Sequence, residues 1–166
     1  MSKDIQHSFV ELLEKHQNIV HKVCRLYTNN YDAHNDLFQE ITIQLWKAYP
    51  KFRGDSKFST WMYRVALNTA ITLYRKSKRS ISTQEFDTVQ FKIKAEEYDD
   101  TEEQQLKLLY QAVHQLNDIE KALVFLYLED KSYKEMAAIL GLTVTNIGAK
   151  VSRVKQQLKK IIHGQG

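Results

Sequence analysis

Only one proline (Pro50) and five glycines interrupt the 166 residues. Apolar side chains recur at every third or fourth position over most of the chain. Gly and Pro are the strongest local breaks in regular structure, and a spacing of three to four is the period of a helix with one buried face. A chain patterned in this way folds into long helices rather than many short strands. Hydrophobic residues make up 43% and charged residues 27%, a balance that belongs to globular rather than disordered chains. The length suffices for one ordinary domain or two small ones.

The stripes locate the helices. Ile5, Phe9, Leu12, Leu13, His16, Ile19, Val20, Val23 and Tyr27 lie on one face of a first helix, and Asn29-Asn30-Tyr31-Asp32 breaks it. Leu37, Ile41, Leu45, Ala48 and Tyr49 face inward on a second helix, which Pro50 ends. A loop follows over 51–57. Phe58, Met62, Val65, Ala66, Thr69 and Leu73 form the inner side of a third helix, with Ser59 or Thr60 as its cap. This helix fades in Arg75-Lys76-Ser77-Lys78-Arg79. Residues 80–104 show no sustained stripe and hold eight carboxylates, which predicts a flexible acidic linker.

Helical spacing returns with Leu106, Leu109, Tyr110, Val113 and Leu116. Asp118 is placed to cap the next helix, which runs through Ala122, Leu123, Phe125 and Leu126. Ser132 and Glu135 have capping-box spacing ahead of a short helix holding Met136, Ala137 and Leu140. Gly141 is a natural stop for it, and Thr143 can cap a last helix striped by Ile147, Val151, Val154, Leu158 and Ile161. The expected fold is all-α: two small helical domains, 1–79 and 105–166, joined by the acidic linker 80–104, with the C-terminal domain a helix-turn-helix domain.

Charge follows the same division. The formal net charge is +4, with 13 Lys/Arg against 7 Asp/Glu over residues 1–80, 2 against 8 over 81–104, and 9 against 5 over 105–166. Two basic blocks flanking an acidic stretch point to nucleic acid as a partner of the blocks. Cys24 is the only cysteine and falls in the first apolar stripe, so an intrachain disulfide is ruled out. No run approaches the length of a membrane span, and the N-terminal residues lack a signal-peptide pattern. A cytoplasmic protein without membrane insertion is expected. Enzyme signatures are missing: there is no Gly-rich phosphate loop, no His-Glu-x-x-His and no Cys-x-x-Cys. The six histidines lack metal-ligand spacing. No catalysis, metal or cofactor is expected.

Four constellations carry chemistry. In the helix-turn-helix, Ala137 lets two helices cross closely, Gly141 turns the chain, and Ile147 locks the second helix onto the first. The opposite face of that second helix presents Asn146, Ala149, Lys150, Arg153, Gln157 and Lys160, donors suited to phosphates and base edges. Thr143 and Thr145 stand at its start. On the third helix, Arg64, Asn68, Thr72, Arg75 and Arg79 share one face. In the loop before it, Phe52, Arg53, Phe58, Trp61 and Tyr63 lie among Asp55 and Lys57, and rings beside cations suit stacking of unpaired bases. On the second helix, Asp36, Gln39, Glu40 and Ile43 form an acidic stripe with an exposed isoleucine, a surface for a protein partner.

The order of these motifs resembles a known family. Asp36-Leu37-Phe38-Gln39-Glu40-Ile41-Thr42-Ile43-Gln44-Leu45-Trp46 is similar to the acidic, Trp-ending helix of bacterial sigma factors. Phe52 through Asn68 resembles the promoter-melting loop and helix of their extracytoplasmic-function (ECF) group, and Leu116 to Leu158 resembles that group's second domain. The resemblance implies that Asp36, Gln39, Glu40, Ile43 and Trp46 dock on the β′ clamp of core RNA polymerase, and that the second domain meets the β flap. It implies that Phe52, Arg53, Asp55, Lys57, Phe58, Trp61, Arg64, Asn68 and Arg75 hold the −10 element and capture a base flipped from its non-template single strand. Thr143, Thr145, Asn146, Ala149, Lys150, Arg153 and Gln157 would then read the −35 duplex. It further implies an anti-sigma partner, which could hold the protein at the inner membrane, and a monomer when free. The Gly148-Ala149 pair departs from the family pattern and bears on how closely the helix approaches DNA. Two other readings compete: a stand-alone helix-turn-helix regulator binding a palindrome as a dimer, and a purely structural helical adaptor.

Overall fold

The computed structural model describes residues 2–54, 57–80 and 101–163. They form seven α-helices: α1 (Ser2–Tyr27), α2 (Tyr31–Ala48), α3 (Phe58–Ser80), α4 (Thr101–His114), α5 (Asp118–Leu128), α6 (Tyr133–Leu140) and α7 (Val144–His163), with one 3-10 turn at Tyr49–Lys51. No strand occurs among the described residues. The chain divides into two compact units, Met1–Tyr74 and Arg75–Gly166, a division that falls inside α3.

In the first unit α1 packs on α2, and Val20, Val23 and Cys24 of α1, Leu37, Ile41 and Leu45 of α2, and Met62, Ala66 and Leu67 of α3 are all buried. Burial pushes the Cys24 thiol up to about 12, so the sulfur is an inert apolar group at neutral pH. Asn30 caps α2 by accepting from the Ala33 amide at 2.8 Å. His21 Nδ1 and His34 Nε2 lie 3.0 Å apart, and the His21 ring stacks on Phe38. Burial lowers the pKa of both histidines.

Two local expectations for α3 change. The helix begins at Phe58, with the Trp61 amide bonded to the Lys57 carbonyl at 3.1 Å. Ser59 and Thr60 therefore sit in the first turn rather than at the cap. The buried face is also rotated from the expected stripe: Tyr63, Leu67, Ala70 and Ile71 are buried, while Val65, Thr69 and Leu73 are only half-buried. A single stripe assumes one neighbour, whereas α3 meets α1 through Tyr27–Tyr74 and His16–Phe58 as well as the rings that follow α2.

In the second unit α7 packs on α4, α5 and α6. Its core includes Val113, Leu116, Leu123, Leu126, Met136, Ile139, Ile147, Val151 and Val154. Asn117, not Asp118, caps α5. Its side chain accepts from the Glu120 amide, and Glu120 returns a bond to the Asn117 amide. Asp118 instead occupies the first helical position, where a carboxylate suits the positive end of the helix dipole. Ser132 and Glu135 form the expected capping box of α6, and Gly141 ends it at φ 71°, the left-handed region that glycine enters without steric cost. Thr143 caps α7 by accepting from the Asn146 amide at 3.1 Å.

Residues 81–100, most of the expected linker, lie outside the described residues. At its ends helix extends further than expected: Ser80 closes α3, and α4 starts at Thr101 rather than near Leu106. Glu102 and Glu103, which composition assigns to the linker, sit in the first turn of α4, where negative charge is favoured. Leu106, expected to face the core, is 53% exposed.

Candidate functional site

The acidic face of α2 forms as expected. Leu37, Ile41 and Leu45 anchor one side of the helix, which leaves Asp36, Gln39, Ile43 and Trp46 exposed on another. Glu40 is half-buried, and its Oε1 accepts from Gln44 Nε2 at 3.1 Å. Ile43 at 45% exposure is an apolar group that the unit itself leaves uncovered. Trp46 lies at the edge of the stripe with its ring 5.2 Å from that of Phe9.

The loop after α2 gathers rings. Phe52, Phe58 and Trp61 are mutually packed, with centroids 5.2–5.8 Å apart and tilted or edge-on geometry, as aromatic pairs prefer. All three are half-buried, so ring surface remains open to an incoming group. Arg53 and Lys57 are exposed beside them. Gly54 takes φ 77°, a conformation that would strain any other residue at this bend. Asp55 lies outside the described residues. Tyr63, read with the loop rings, is buried in the core of the unit instead.

Along α3, Arg64, Asn68, Thr72, Arg75 and Arg79 are all exposed on one side of the helix. Thr72 donates its hydroxyl to the Asn68 carbonyl. Arg75 belongs to the second compact unit, where its Nε donates to Asp118 Oδ2. This guanidinium has a carboxylate partner and stays exposed.

On α7, Ile147, Val151 and Val154 point into the core, and Thr145, Asn146, Ala149, Arg153 and Gln157 are exposed, with Lys150 half-buried. Thr143 uses its hydroxyl in the cap. Gly148 does not lie on this polar face. A Cβ there would stand 3.6 Å from Tyr133 Cε2 and 3.8 Å from Cδ2, ordinary contact distances, with no positive φ. Nothing in the unit requires glycine, so Gly148→Ala should raise stability by up to about 1 kcal/mol through helix propensity. The expected readout is a thermal midpoint higher by a few degrees, and an equal or lower midpoint would show that the Tyr133 ring cannot accept the methyl.

An apolar groove of about 120 Å³ opens between α4, α5 and α7, lined by residues that include Leu109, Leu123, Tyr127, Leu128, Val154 and Leu158. Its signal in the sequence was the surplus of leucines in α4 and α5: Leu128 is more than half exposed and Leu109 half-buried at its edge. Among the described residues no group of three or more His, Cys, Asp and Glu side chains could hold a metal. No helix among them is long and apolar enough to cross a membrane.

Comparison with known proteins agrees with this geometry. Sigma-70 region 2 matches residues 12–80, which hold the α2 face, the ring loop and α3. Sigma-70 region 4 matches residues 106–158, which hold the helix-turn-helix. The chain belongs to the sigma-70 family, as a promoter-specific sigma factor of the ECF group. The ECF RNA polymerase sigma-E factor of Haemophilus influenzae is 26% identical over 170 residues, covering 93% of this chain and 87% of that protein. The sigma-E factor of Escherichia coli is 26% identical over 173 residues, covering 95% and 88%. Two solved structures share the fold. One is the sigma factor RpoE of Bartonella quintana in complex with the anti-sigma factor NepR (TM-score 0.74, 21% identity, 94% of this chain and 97% of that one). The other is CnrH in complex with the cytosolic domain of CnrY (TM-score 0.69, 20% identity, 97% and 91%).

Proposed function

We infer that residues 1–79 carry the polymerase and −10 functions of this sigma factor and residues 105–166 its −35 function. The observation that carries this reading is the ring cluster Phe52–Phe58–Trp61, half-open beside the exposed Arg53, Lys57, Arg64 and Asn68. A base taken out of a duplex loses stacking worth a few kcal/mol, and a pocket of rings and donors can return it. Opening then needs no ATP, because binding of the open strand offsets the lost pairing. Asn68 is the base reader, Arg53, Lys57, Arg64 and Arg75 hold phosphates, and Asp55 belongs to the same −10 set. Thr145, Asn146, Ala149, Lys150, Arg153 and Gln157 face the major groove of the −35 duplex, with Thr143 fixing the start of the helix.

Asp36, Gln39, Glu40, Ile43 and Trp46 dock on the β′ clamp. The apolar groove of the second unit suits the β flap, since it offers uncovered leucines in a monomeric unit. The same surfaces suit an anti-sigma factor, the kind of partner that NepR is for RpoE. The chain supplies recognition and opening, and the polymerase makes the phosphodiester bonds. The free chain works in the cytoplasm as a monomer, or at the inner membrane when a membrane-anchored anti-sigma partner holds it.

In vitro transcription with bacterial core polymerase and a promoter library tests the reading. Asp36→Ala with Glu40→Ala should reduce specific transcripts at least about tenfold, since one interface hot spot is worth more than 1.4 kcal/mol. Absence of transcripts from the wild-type chain, together with nanomolar binding of the free protein to a duplex site, would establish a stand-alone helix-turn-helix regulator instead.

A further inference from the structure

The ring cluster of the loop has a bed beneath it that the sequence motif does not include. Phe58 touches four rings: Phe52 and Trp61 of the loop cluster, Tyr49 at 6.4 Å, and His16 of α1 at 5.4 Å. Tyr49 also lies 6.2 Å from Trp61 and rests on the buried Phe9 at 5.2 Å. Its carbonyl accepts from the Phe52 amide at 3.0 Å, which holds the first loop ring in place through the backbone. Phe9 and His16 are seven residues apart, two turns of α1, so they share the face that looks toward the loop. His16 itself is half-buried, and burial lowers its pKa, with Lys15 adding to the effect. It therefore meets Phe58 as a neutral, flat, apolar-faced ring at pH 7.

We propose that His16 and Tyr49 are positioning residues for promoter opening: they hold the Phe58 and Trp61 rings in the orientation that receives the flipped base. The inference rests on the base-capture reading given above. Its physical basis is preorganisation. A ring left half-open to solvent keeps rotamer freedom unless something packs behind it, and that freedom must be lost when the base stacks. The motif residues supply the surface that meets the base, while α1 and the 3-10 turn keep that surface rigid. Neither His16 nor Tyr49 needs to touch DNA.

The test uses the full chain assembled with core polymerase on a promoter active in the transcription assay. 2-Aminopurine replaces each adenine of the non-template −10 strand in turn, and its fluorescence rises on unstacking. His16→Ala should lower the amplitude of that rise about threefold to tenfold, the range expected for a lost aromatic pair. Affinity for core polymerase and for a −35 duplex should stay unchanged. His16→Phe, which restores a flat ring, should recover most of the signal, and Tyr49→Ala with Tyr49→Phe should behave likewise. A wild-type signal from His16→Ala overturns the proposal. So does failure of His16→Phe to rescue, or an equal loss in core affinity and −35 binding, which would mark a general folding defect. If the wild-type holoenzyme transcribes but gives no rise at any position, the base-capture reading falls first and the positioning role falls with it.

Discussion

Ile147→Ala is expected to lower the stability of the second unit by about 2–5 kcal/mol. Ile147 is fully buried where α7 crosses α6. Truncating it removes three methyl or methylene groups from the α6–α7 packing, where Met136 and Ile139 are also buried, and a close-packed core collapses only partly into the void. A loss of this size is a large part of the 5–15 kcal/mol that holds a typical domain together. Urea denaturation followed by far-ultraviolet circular dichroism should show the midpoint falling, and Ile147→Val should fall by only about 0.5–1.5 kcal/mol. On the proposed −35 role of α7, Ile147→Ala should also abolish dependence on that element in transcription, because the polar face of α7 is presented only while its apolar face is seated. An unchanged midpoint would mean that Ile147 is not the lock between the two helices.

The second large effect lies at Lys121, which is 2% exposed in α5. Burial, helped by the nearby charge of Lys78 and opposed by Asp118, brings its pKa down from 10.5 to about 8. Between about pH 8 and 10.5 the folded amine is largely neutral while the unfolded one is still protonated. The unfolded chain then binds more protons, so stability rises with pH through that window. Below about pH 8 both states carry the charge, and the full penalty of burying it is present. That penalty is on the order of 3 kcal/mol, from the linkage between pKa and free energy. Lys121→Met keeps the length of the stem and removes the charge. It should raise stability at pH 7 by roughly 1–3 kcal/mol, allowing for the polar partners that the ammonium loses. It should also flatten the rise between pH 8 and 10. Urea midpoints at pH 7, 8, 9 and 10 for both proteins measure this directly, and a rise that persists in Lys121→Met would assign the window to another group.

Much of the candidate site was legible because its signals are one-dimensional. The polar face of α7 follows from the spacing of Ile147, Val151 and Val154, since a helix that buries one stripe must present the opposite one. The turn at Gly141, the capping box of Ser132 and Glu135 and the break at Asn30 depend on chemistry within four residues. The acidic face of α2 and the ring-rich loop could be read in the same way. Less was legible wherever two local signals competed. Asn117 and Asp118 are both good caps, and the choice fell to the residue with glutamate three positions on. Glu102 and Glu103 looked like linker by composition yet begin a helix, because carboxylates suit a helix start as well as they suit solvent.

What the sequence determined by itself was therefore the all-helical class, the order of helices and the exposure of Asp36, Asn68 and Arg153, each set by periodicity or by neighbours along the chain. Tertiary structure alone decided the rest. It rotated the buried face of α3 toward Tyr63 and Leu67, seated Gly148 against Tyr133, enclosed Lys121, opened a leucine-lined groove between α4, α5 and α7, and brought His16 under Phe58. Each of these depends on which distant segment packs against a given face, and contacts between residues remote in the chain leave no periodic trace in either segment.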